Sequence, residues 1–72
     1  MDTRAELIRF GETFRRVRER EDVSVADLAA RVGIDAEQIN ALEAGRLDPA
    51  FDVMIALADG IGVRPSALIP EG

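Results

Sequence analysis

One stretch, Ser24 to Gly45, restricts the fold of this chain more than any other: SVADLAARVGIDAEQINALEAG. Ser24 is a hydroxyl ahead of an apolar-periodic run, with the acid Asp27 three residues on, which is a helix start of the capping-box kind. Val25, Leu28, Ala29 and Val32 follow at helical spacing and make one apolar face. Gly33 ends that helix, because the residue just past a helix end is usually left-handed and glycine takes that shape without strain. Ile34 enters the turn. Asp35 is a good cap for a second helix, and Gln38 answers it three residues later. Ile39 and Leu42 point back at the first of the two helices, and Gly45 is the second stop.

Two short helices joined by so tight a turn form a helix-turn-helix unit. The flanks extend it to an all-α bundle of about five short helices. Thr3 and Glu6 make a capping box for a first helix starting near Arg4. Leu7, Phe10, Phe14 and Val17 form its inward stripe, and it ends near Glu21 or Asp22. Asp tolerates the left-handed shape at Asp22, and Val23 packs under the turn. Asp48 is expected to cap a fourth helix at about 50–60, with Pro49 at its first position. That helix is apolar on most sides, through Phe51, Val53, Met54, Ile55, Leu57, Ala58 and Ile61. Gly60 and Gly62 mark its end. Pro65 opens a short fifth helix, with Leu68 and Ile69 closing the core. No internal repeat, linker or low-complexity segment interrupts the pattern, so residues 1–72 read as one domain with the helix-turn-helix unit at 24–45.

The inventory of side chains argues against catalysis. The chain has no Cys, His, Tyr or Lys, so an activated nucleophile would need Ser or Thr with a carboxylate base and little else. Ser24 and Ser66 stand where caps and first turns want small hydroxyls. Neither thiolate nor imidazole ligands exist for a metal, and no calcium-loop pattern of acids appears. The expectation is a non-enzyme with no cofactor and no metal. No apolar run approaches the ~20 residues of a membrane helix and no signal-peptide pattern opens the chain, so a cytoplasmic location and no membrane partner are expected.

Charge is unevenly spread. The net is −5, yet residues 1–20 hold six Arg against four acids, a net of +2, while residues 21–72 hold three Arg against ten acids, a net of −7. Every cation is Arg, which favours bidentate contacts with phosphate and carboxylate.

Ala29, Gly33 and Ile39 keep a small–glycine–aliphatic spacing. Glu43 and Gly45 end the second helix with Pro49 following, and the run Phe14-Arg15-Arg16-Val17-Arg18 precedes the unit. In these residues the chain resembles the Cro/phage-repressor-like (XRE-type) helix-turn-helix family, over about residues 7–69. The resemblance implies the lambda-repressor-like DNA-binding domain fold and a prokaryotic or phage setting. It implies a sequence-specific transcriptional regulator that binds a two-fold operator in double-stranded DNA as a homodimer, through the helix at about 36–44. It makes Arg18 and Glu43 a partly buried structural ion pair. Its base-facing candidates are Asp35, Ala36, Glu37, Gln38 and Ala41, with Asn40 flanking. Gln38 or Asn40 suits adenine and Glu37 suits a cytosine amino group. Its candidates for backbone contacts are the start of the second helix, Arg46, and Arg9, Arg15 or Arg16. Its dimer interface falls at the fourth and fifth helices, with Val53, Ile55 or Ile69 exposed.

Two departures separate the chain from the family pattern. Val25 stands where the family commonly carries a DNA-contacting Gln. Asp35 and Glu37 put negative charge near the phosphates, with no cation between Arg31 and Arg46. These favour an alternative: a protein-interaction module on the same scaffold, which binds DNA weakly or only with a protein partner.

Overall fold

The computed structural model describes residues 3–70. Four α-helices and one 3-10 turn follow in order: α1 Thr3–Arg20, α2 Val25–Val32, α3 Ala36–Glu43, α4 Phe51–Ile61, and the turn Pro65–Leu68. The class is all-α, and the described residues form no strand. No described helix is long and apolar enough to cross a membrane.

Each element inserts at least one fully buried side chain into a single core: Phe14 from α1, Leu28 from α2, Ile39 and Leu42 from α3, Leu57 from α4 and Leu68 from the turn. These are the inward positions of each helical stripe, and their burial is the main force holding helices too short to persist alone. Ala29, also buried, keeps α2 small where α3 crosses it.

All four helices finish in the same way. A residue with positive φ stands one or two places past each end: Asp22 at 58°, Gly33 at 80°, Gly45 at 76° and Gly62 at 91°. The residue after it donates its N–H back to the last turn, as Val23 to Arg18, Ile34 to Ala29, Arg46 to Ala41 and Val63 to Ala58. Asp22 does adopt the left-handed shape expected of it.

Four expectations need correction. The fifth helix is only a four-residue 3-10 turn, because Pro65 supplies its start but the segment is too short to add α-type bonds. Ile69 does not close the core; it is 55% exposed, beyond the turn's end. Asp48 and Pro49 do not cap α4. Ala50 is the extended residue before it, and the first turn instead receives a carboxylate from Asp52, whose Oδ1 accepts the Val53 N–H at 3.0 Å. At the other end of the chain, Thr3 stands inside the first turn of α1 rather than ahead of it, with Glu6 in the same turn.

Candidate nucleic-acid interface

The two helices of the unit are held at their starts and at the turn between them. Ser24 Oγ accepts the Asp27 N–H at 3.0 Å and starts α2. Gly33, Ile34 and Asp35 make the connection to α3. Gln38 Oε1 accepts the Asp35 N–H at 3.1 Å, and the Gln38 N–H donates to the Asp35 main-chain carbonyl at 3.0 Å. Ile39 plugs the space between the helices with no exposed surface.

The rear of α3 is fastened to α1. Arg18 Nε donates to Glu43 Oε2 at 2.6 Å and Nη2 donates to Oε1 at 3.1 Å, while Nη1 donates to the Val23 carbonyl at 2.8 Å. One guanidinium thereby ties α1, the α1–α2 loop and the end of α3. Both side chains are 10% exposed. Hydrogen bonding to Glu43 raises the Arg18 pKa above its ordinary value, against the opposing effect of burial and with help from the charges of Glu43 and Glu19.

Gly11 completes this junction and has no counterpart in the sequence reading. A Cβ at that position would lie 2.5 Å from the Leu42 carbonyl oxygen and 2.6 Å from that of Glu43. The backbone of α1 therefore touches the end of α3 directly. A lone glycine inside an otherwise helical pattern is the signal that marks such close approach.

With its rear anchored, α3 leaves a continuous outer face. Asp35, Ala36, Glu37, Gln38 and Asn40 are exposed, and Ala41 is half-buried. The face is acidic and small rather than basic. Gln38 spends its side-chain oxygen on the Asp35 N–H. A bidentate adenine contact needs that oxygen as well as the amide, so Asn40 is better equipped for one. Val25, at the start of α2, is half-buried and packs against the core.

The cations divide into separate groups. Arg46 is exposed directly after α3. It occupies the position that elsewhere carries an apolar residue packed inward, namely Val23, Ile34 and Val63. Arg15 lines a groove with Arg18, Val25, Asn40, Glu43 and Ala44, beside the outer face of α3, and pairs loosely with Glu19 at 3.4 Å. Arg9 and Arg16 line a different groove, between α1 and the 3-10 turn. Arg31 donates to the Gly60 carbonyl at 2.9 Å and so fastens α2 to the end of α4.

A family model described as a helix-turn-helix domain matches residues 9–71. Among solved structures, the restriction-modification controller protein C.AhdI from Aeromonas hydrophila is similar, with a TM-score of 0.86 and 26% sequence identity over 90% of this chain and 98% of that one. No curated protein sequence matches. The chain belongs to the helix-turn-helix domain family and is a DNA-binding regulator of the Cro/phage-repressor-like type.

Proposed function

We propose that this chain controls transcription by binding a two-fold operator as a homodimer, with α3 of each copy in the major groove. The observation that carries this reading is the asymmetry of α3. Its inner face is fixed to α1 by Arg18, Glu43 and Gly11, while the residues around its start lie open to solvent. That is the rigid presentation that base readout requires. The likeness to a restriction-modification controller protein supports the regulatory role. Glu37 is suited to accept from a cytosine amino group, and Asn40 to read adenine. Arg46 and Arg15 flank α3 and suit phosphate contacts that set its position without reading sequence.

The apolar ridge on α4 supports pairing of copies. Phe51 is 72% exposed and Ile55 41% exposed, one helical turn apart, while Ile69, also exposed, lines the groove between α1 and the 3-10 turn instead. Val53, the other interface candidate, is half-buried against the core.

Selection from random duplex DNA tests the reading. The expected product is a two-fold motif with half-site centres roughly 10 bp apart or a small multiple of it, because both recognition helices must enter one side of the duplex. An unenriched pool would overturn it and favour the protein-interaction module. That second reading draws on the net charge of −5 and on Asp35 and Glu37 standing on the outer face of α3.

A further inference from the structure

We infer that the groove between α1 and the 3-10 turn is a docking site for an acidic, partly apolar segment of a partner protein. The groove encloses about 500 Å³. Its α1 wall carries Arg9, Arg16 and Arg20, with Glu12 as the one acid lining it. Exposed Ile69 and half-buried Pro70 supply apolar surface along the same groove. Arg16 and Arg20 are exposed, Arg20 lying 3.6 Å from Glu21 in a loose surface pair.

The placement of the row separates it from the DNA-reading face. At about 100° per residue, Arg9, Arg16 and Arg20 fall about 160–200° around α1 from Arg18, whereas Arg15 falls about 60° from it. Arg18 points at α3 through Glu43. The row therefore looks away from α3, and a duplex lying along α3 meets Arg15 and Arg46 first.

Charge complementarity selects the occupant. The row is a local reversal on a chain whose net charge is −5, so an anionic partner is drawn to this side specifically. Guanidinium groups bind carboxylates in a two-pronged fashion. Along the helix, Arg9 to Arg16 spans about 10 Å and Arg9 to Arg20 about 16 Å. Arg16 to Arg20 spans about 6 Å, close to the roughly 6.6 Å between alternate residues on one face of an extended peptide, and about five residues cover the whole row. Successive side chains of such a peptide point to opposite sides, so acids can meet the arginine row while apolar residues meet Ile69 and Pro70. A phosphodiester backbone would match the charges but leave the apolar surface unused.

The test uses the full chain and a fluorescein-labelled peptide of about ten residues with Glu and Leu in alternation, beside its Gln-for-Glu counterpart. The acidic peptide is expected to bind about tenfold more tightly than the neutral one, with affinity falling as salt is added. Arg20→Glu, which alters one exposed side chain outside the candidate DNA contacts, is expected to lose most of that preference while retaining its urea melt and its affinity for a selected duplex. Equal binding of the two peptides, or an unchanged preference in the variant, contradicts the proposal. So does a parallel loss of duplex affinity in the variant, which would make the row a phosphate contact.

Discussion

Arg18 and Glu43, 25 residues apart, meet in a two-pronged ion pair that is nine-tenths buried and fixes the rear of α3 to α1. The third bond of Arg18, to the Val23 carbonyl, draws the loop before α2 into the same joint. Removing either partner leaves the other charge buried alone, which typically costs about 3–5 kcal/mol. Arg18→Ala and Glu43→Ala are each expected to lose stability in urea melts by that order, and the double variant clearly less than the sum. Additive losses below about 1 kcal/mol would reduce the pair to a surface contact. The raised Arg18 pKa has one consequence for pH dependence. Its stabilisation is complete below the unfolded-state value and is lost only as pH rises through the higher folded-state value, so Arg18 causes no loss near neutrality.

Gly11 and Gly33 are both glycines for different reasons, and substitution separates them. Gly11→Ala drives a methyl into the Leu42 and Glu43 carbonyls, so a loss of about 1–3 kcal/mol is expected, and Gly11→Asn is worse. At Gly33 a Cβ meets nothing within 4 Å, but φ is +80°. Gly33→Ala therefore costs about 1–2 kcal/mol of backbone strain. Gly33→Asn should recover part of that loss, because Asn visits the left-handed region more readily. Thermal melts of the four variants decide the matter; rescue by Asn at position 11 would contradict the contact described for it.

Phe51→Ser and Ile55→Ser test the α4 ridge. Both side chains are exposed in the single chain, so its folding should be little changed. Self-association by sedimentation is expected to weaken. Unchanged dimerisation would move the interface elsewhere on the molecule.

Arg46→Ala tests the cation that follows α3. It should weaken binding to every duplex by a similar factor and lower the salt slope by about one. A loss confined to one sequence would make Arg46 a base reader.

Much of this arrangement is legible from local rules. Ser24, Asp22, Gly33 and Gly45 declare the helix ends through cap and left-handed preferences, and the stripe positions Phe14, Leu28, Ile39, Leu42 and Leu57 declare the core. Less was legible where tertiary contacts override local preference. Asp48-Pro49 has the composition of a helix start, yet α4 begins only at Phe51, after the extended Ala50, and Asp52 supplies the carboxylate. Gly11 carries no turn signal, and its meaning appears only when α3 lies against it. The arginines of α1 look alike in sequence, but helix geometry sends Arg15 to one groove and Arg9 and Arg16 to another. The side-chain oxygen of Gln38 is consumed by the cap that the spacing predicts, which changes what the residue can read.

The central claim is that the outer face of α3 reads base sequence despite its acids. Titration of wild type and Glu37→Gln against a selected duplex and single-mismatch duplexes, at two salt concentrations, tests it most directly. If Glu37 accepts from a base, the substitution changes which base is preferred at one position, by about 1–3 kcal/mol, and leaves the others alone. Uniformly tighter binding to all duplexes with preference untouched would mean that Glu37 only repels phosphate, and would contradict the claim for that residue. If neither Glu37→Gln nor Arg46→Ala alters affinity for any duplex, α3 does not face DNA.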